Sequence, residues 1–144
     1  MLLNRYEKID IAHSLLETAC SLYKQQDYFA VINLAGASEE ILGKYLKAEG
    51  KKNAFESDKE AFIAVSKYLG SNITDKYAAN FLNKSKNAIK HYNELDASDK
   101  FITMDAKESA EDLLIRALTN LWRLENDLTP LMNEVWRSIE GFEG

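Results

Sequence analysis

Apolar side chains recur along this chain at three- and four-residue intervals, and nowhere do they alternate for long enough to mark a strand. The first stripe, Ile9, Ala12, Leu16, Ala19 and Tyr23, is widened by Ile11, Leu15 and Leu22 and predicts a helix over roughly residues 4–25. Asp27 is a suitable N-cap for a second helix over roughly 28–49, closed by Gly50. Its apolar set is Tyr28, Val31, Ile32, Ala35, Leu42, Tyr45 and Leu46. The run Ala35-Gly36-Ala37-Ser38 lets a neighbouring backbone come close, so the most buried crossing is expected there.

Ser57 followed by Glu60 has the spacing of a capping box and predicts a third helix ending at Gly70, with Phe62, Val65 and Leu69 facing inward. A fourth helix is expected from about residue 74 to 93, its inner stripe being Ala78, Phe81, Leu82, Ser85, Ala88, Ile89 and Tyr92. After a polar loop over roughly 94–104, Asp105 and Glu108 cap a long fifth helix through Ala110, Leu113, Leu114, Ala117, Leu118, Leu121 and Leu124. Thr129 caps a short sixth with Pro130 at its first position, where the missing N–H costs nothing, and Gly141 ends it. These elements predict one all-α domain over residues 1–144, an antiparallel up-and-down bundle of five to six helices joined by short linkers.

Composition narrows the function classes. The chain has 144 residues, 46% of them hydrophobic, enough for one sizeable core and too apolar for a disordered segment. Its net charge of −5 opposes sequence-blind binding to a phosphate backbone, so a nucleic-acid role requires a local basic patch. Cys20 is the one cysteine, which excludes an internal disulfide and a cysteine-based zinc site; it falls on the inner side of the first helix and is expected in the core. The N-terminus lacks the layout of a secretion signal and no apolar run is long enough to cross a bilayer, so a cytoplasmic protein without a membrane partner is expected.

Candidate chemistry concentrates on the fourth helix. At about 100° per residue, Asn80, Asn83, Asn87, Lys90, His91 and Glu94 share the side opposite the apolar stripe, with Lys84 and Lys86 at its flanks. Asn87 and His91 are one turn apart and can reach one small ligand or one phosphate. A polar outer face is what any surface helix shows. Two details set this one apart: asparagine is a poor helix former, yet recurs here, and one of the chain's 2 histidines sits among these residues. On the second helix Glu39 falls inside the apolar arc, whereas Glu40 points outward. Glu39 either pairs with a cation or amide of the 86–91 segment or, the preferred reading, snorkels at the core's edge or meets a buried tyrosine.

The segment Lys86-Asn87-Ala88-Ile89-Lys90-His91 resembles the signature of HEPN domains, an arginine, a polar residue that is often asparagine, three variable positions and a histidine. Residues 35–46 resemble the second helix of such domains, where a run of small residues leads to a glutamate and then to apolar positions. The resemblance implies a small helical bundle with two long leading helices, and a homodimer in which two copies of the motif face one another. It further implies binding of RNA or a nucleotide and metal-independent RNA cleavage, with no cofactor and no metal. In that scheme His91 deprotonates the 2′-hydroxyl or protonates the leaving oxygen, Lys86 stabilises charge on the phosphate and Asn87 orients it, with Asn83, Lys90 and Glu39 completing the binding surface. Lys86 stands where the family has arginine; it keeps the charge and loses the planar two-pronged contact, which leaves weak activity, another substrate or no catalysis open. Because many relatives are regulatory, the alternative is a non-catalytic module that binds a protein partner.

Other constellations are thinner. Asp10 and His13 have the carboxylate–histidine spacing of di-iron bundles, but no second copy follows. His91 lacks, in the turn after it, the lysine and small residue expected of a phosphotransfer histidine. Trp122 and Trp136 are expected to pack rather than to stack on bases.

Overall fold

A computed structural model describes residues 1–90 and 100–141; the Lys90 side chain lies outside the described part. Among the described residues the chain is all-helical: α1 (Lys8–Lys24), α2 (Tyr28–Ala48), α3 (Ala54–Tyr68), α4 (Asp75–Leu82), α5 (Lys84–Lys90), α6 (Ala106–Glu125) and α7 (Pro130–Glu140). None of these helices is long and apolar enough to cross a membrane.

Most helix starts follow local capping chemistry. Asp27, Thr74, Asp105 and Thr129 each accept a hydrogen bond from the backbone N–H three residues on; Asp27, Asp105 and Thr129 are the caps the sequence predicts, and Thr74 caps the helix expected to start near it. Two starts differ from expectation. Helix α1 begins at Lys8 rather than near residue 4, because its N-cap Glu7 makes no side-chain cap and residues 1–7 are all exposed, leaving no packing to support an extra turn. Helix α3 begins a turn before Ser57. Asn53 is its N-cap, accepting from Glu56 N at 2.9 Å, while the Ala54 N–H is taken by Asn120 Oδ1 of α6 at 2.8 Å. Ser57 instead donates to Asn53 O.

The core is one cluster built from α1, α2, α6 and α7, with Leu16, Ile32, Leu42, Leu114, Leu118 and Met132 fully buried. Helices α1 and α2 are antiparallel: Ser38 donates to Ala12 O at 2.7 Å near one end, and Tyr23 meets Tyr28 near the other. Helix α7 returns beside α1, tied by Thr129 to Glu17 and by Lys24 to Glu134. Helices α2 and α6 do not follow the expected up-and-down alternation. Gly36 lies against Leu113 and Gly43 against Asn120, so position advances in the same direction along both. The intervening α3–α5 segment crosses over and makes this parallel pairing possible.

The middle of the chain departs furthest from the sequence pattern. On α3, Val65 and Leu69 are 57% and 74% exposed; the buried positions are Ala54 and Lys59, the latter paired with Glu56 and with Asp75 of α4. Phe62 instead stacks on Phe81, ring centroids 4.9 Å apart. The expected fourth helix is interrupted at Asn83, which lies outside both α4 and α5. Arg116 of α6 holds this junction, donating from Nη1 to Asn83 Oδ1 at 3.3 Å and from Nη2 to Leu82 O at 3.4 Å. An arginine placed there satisfies a carbonyl at the end of α4 and meets the negative end of its dipole. Of the expected inner stripe, Ala78 is buried and Leu82, Ser85 and Ile89 are half-buried. Phe81 and Ala88 face outward, and Tyr92 lies outside the described residues.

Candidate functional site

Helices α2 and α5 meet through a buried ion pair. Lys86 and Glu39 are 6% and 4% exposed, and Lys86 Nζ lies 3.3 Å from Glu39 Oε2 and 2.9 Å from Glu40 Oε1. The small-residue run on α2 makes this possible. A Cβ on Gly36 would stand 2.8 Å from Lys86 Cδ and 3.1 Å from its Cγ, so the lysine stem crosses α2 where a side chain is missing. The stem follows Leu82 by one turn and precedes Ile89 by three residues, extending their apolar row, while the ammonium reaches past it to the carboxylates. Asn120 holds the acidic partner from behind. Its Nδ2 donates to Glu39 O at 3.2 Å while its Oδ1 accepts from Ala54 N.

Of the two readings of Glu39, the structure brings about the pairing with the 86–91 segment, through Lys86, and among the described residues no tyrosine donates to it. Lys86, expected at the flank of a solvent-facing surface, is turned inward instead, because two carboxylates of α2 draw its charge and Gly36 makes room for its stem. Asn83 is half-buried and turned to Arg116 rather than sharing a face with Asn87, which is exposed together with Asn80. The side chain of Lys90 and the whole of His91 and Glu94 lie outside the described residues.

Beside the ion pair a shallow cleft of about 210 Å³ is lined by Glu39, Glu40, Lys44, Lys47, Asn53 and Asn83, among others. Lys44 and Lys47 are exposed and three residues apart, so α2 adds two cations at the edge of the motif. No family model, curated protein or solved structure matches this chain. The chemistry of the site therefore has to be read from its own residues.

Two groups escaped the sequence reading. Arg116 and Asn120 are one turn apart on α6 and fully inside it, and each ties two helices together. Their signal was partial: both fall just outside the Leu113 edge of the apolar arc that Leu113, Ala117 and Leu121 define, where a polar side chain is ordinarily drawn to water. Among the described residues, no group of three or more His, Cys, Asp and Glu side chains is arranged to hold a metal ion. Cys20 is fully buried, and burial, reinforced by the Glu17 carboxylate, pushes its thiol up to about 12, which makes it a core residue and not a nucleophile.

Proposed function

We propose that this chain is a HEPN-like module that binds RNA or a nucleotide on the α5 side of the α2–α5 junction. Asn87, Lys90 and His91 reach the ligand, and Lys44 and Lys47 supply further positive charge. The observation that carries this reading is the contact between the two sequence segments that carry the resemblance: Lys86 of the motif lies over Gly36 and pairs with Glu39. The contact is made by the particular residues that carry the resemblance, the small Gly36, the acid Glu39 and the first residue of the motif, and not merely by the two helices.

In this reading Lys86 is a positioning residue. Its charge is met by two carboxylates, so it fixes the start of α5 against α2 and leaves phosphate contact to Asn87, Lys90 and His91. Where the module cleaves RNA, His91 handles the proton of the 2′-hydroxyl or of the leaving oxygen without a metal, in a homodimer that apposes two motifs. The test is cleavage of a mixed RNA in the presence of a chelator, comparing the native chain with His91→Ala, alongside RNA binding by Lys44→Glu/Lys47→Glu. Loss of cleavage in the first variant and weaker binding in the second support the reading. Neither binding nor cleavage by the native chain removes it.

A second reading, a non-catalytic module for a protein partner, is favoured by the apolar face of α3 and α4. There Val65, Leu69, Tyr77 and Phe81 are all more than half exposed beside the Phe62–Phe81 stack. A chain that binds no RNA, with or without self-association, and that captures a protein partner which Leu69→Lys no longer captures would fit this second reading instead.

A further inference from the structure

A larger cleft, of about 610 Å³, opens between α6, the α4–α5 junction, α3 and the end of α7. This is the volume of a small-molecule site. Its floor includes Arg116, which is only 4% exposed and whose needs are not met. The guanidinium stands over the Phe55 ring at 5.7 Å and donates to Asn83 Oδ1 and Leu82 O, yet its Nε–H has no acceptor. Among the described residues it makes no ion pair, although Asp112 lies one turn before it on α6, the spacing at which such pairs ordinarily close. Asp58 and Asp112 act on the guanidinium through space without closing an ion pair on it, so its buried charge is only partly compensated and a ligand carboxylate would complete its shell.

The rest of the lining says what kind of ligand. Asp58, Glu108, Glu111, Asp112 and Glu140 surround the opening, whereas the cations are Arg116, Lys84 and a Lys86 already engaged by Glu39 and Glu40. A simple anion reaching Arg116 would be repelled by this ring, and a simple cation would leave the guanidinium unsatisfied. Asp58 and Asp112 are exposed at their outer edges, yet partial desolvation at the cleft wall raises their affinity for protons against the opposing pull of Arg116, so both carboxylates gain from an ammonium partner. Arg116 and Asp112 are about 6 Å apart along the helix axis. Both line the cleft, so a small ligand that carries a carboxylate and an ammonium can address the two at once. The hydroxyls of Ser85 and Ser109, 2.9 Å from one another, line the same cleft, and Leu82, Ile115 and Ile139 give it an apolar side.

We infer that this cleft binds a small zwitterion of the α-amino-acid class with an apolar side chain, its carboxylate on Arg116 and its ammonium on Asp112 and Asp58. The inference is independent of RNA binding, because neither Asn87 nor Lys44 nor Lys47 lines this cleft.

The test is titration of the full chain by calorimetry and amide chemical shifts with three probes of the same skeleton: L-leucine, isocaproate for the anion alone and isoamylamine for the cation alone. Saturable binding of L-leucine is expected, with each single-charge probe weaker by about tenfold or more. Asp112→Asn, at an exposed position, should weaken L-leucine by about tenfold while leaving isocaproate as strong or stronger, since one repelling carboxylate is gone; Arg116→Lys should weaken both. The inference is overturned if L-leucine does not saturate at millimolar concentration, if either single-charge probe binds as well as it, or if Asp112→Asn leaves its affinity unchanged. Because Arg116 also holds the α4–α5 junction, a poorly folded Arg116 variant leaves the Asp112 variant and the probe series to decide.

Discussion

Replacing Lys86 by methionine isolates the energetics of the α2–α5 junction. Methionine keeps the unbranched stem that crosses Gly36 and removes only the ammonium, so packing is held nearly constant and the charge is deleted. What remains is Glu39, 4% exposed, with no cation against its carboxylate. Breaking a buried pair from one side costs about 3–5 kcal/mol, because the surviving charge stays desolvated. Glu40 is 41% exposed at its side chain, so the junction is not sealed from water and the lower end, about 3 kcal/mol, is expected. Urea unfolding followed by far-ultraviolet circular dichroism reads this as a lower midpoint at unchanged slope. The double variant Glu39→Met/Lys86→Met removes both buried charges and should recover most of the loss, to within about 1 kcal/mol of the native chain. A single variant that costs less than about 1 kcal/mol, or a double variant as unstable as the single one, would show that Lys86 and Glu39 are not energetically coupled.

Three further predictions rest on other contacts. Asn120→Ala should cost about 2–3 kcal/mol, since it leaves the Ala54 N–H without its acceptor and takes from the Glu39 carbonyl the donor it has besides its own helix, and amide exchange should quicken first at Ala54. Gly36→Ala should destabilise by about 1–3 kcal/mol, because the new Cβ would stand 2.8 Å from Lys86 Cδ; in a Lys86→Ala background the same change should become stabilising by up to about 1 kcal/mol, the ordinary helix preference. Asp112→Asn should raise stability at neutral pH and lose that advantage as the pH falls. Burial and nearby carboxylates raise its folded pKa above 3.8, so between those values the folded chain holds more protons than the unfolded one and stability declines as pH rises. Paired urea midpoints at neutral pH and below pH 3.8 check the direction; an advantage for Asn that grows in acid would contradict it.

What the sequence made legible was whatever local chemistry decides. The caps at Asp27, Thr74, Asp105 and Thr129 and the stripe of α6 are written within a few residues of where they act. The start of α3 was not, because Asn120, remote in sequence, takes the Ala54 N–H and draws the helix forward. The inner face assigned to α3 was lost for a related reason. Periodicity shows that Phe62, Val65 and Leu69 share a side but not whether anything covers it, and here only Phe81 does so in part. The parallel run of α2 and α6 also lay beyond local reading, since linker length constrains neighbours in sequence and says nothing of elements joined by a crossover.

At the site, one buried acid was foreseen and its partner was misplaced. Glu39 stands out because a carboxylate inside an apolar arc must find a partner, and periodicity alone favours the core's edge or a tyrosine over the cation it has. Lys86 falls at the flank of the polar face, where a lysine is ordinarily drawn to water. Its inward turn depends on Gly36, on another helix, and the two facts explain each other only when placed together: the missing side chain admits the stem, and the stem delivers the charge Glu39 lacks. Arg116 and Asn120 extend the same logic along α6, buried polar groups at the edge of an apolar arc that each reach other elements. They differ in how far their hydrogen bonding is completed. Asn120 is satisfied on both ends of its carboxamide, whereas Arg116 keeps a buried Nε–H with no acceptor among the described residues, at the wall of the cleft to which we assign a ligand.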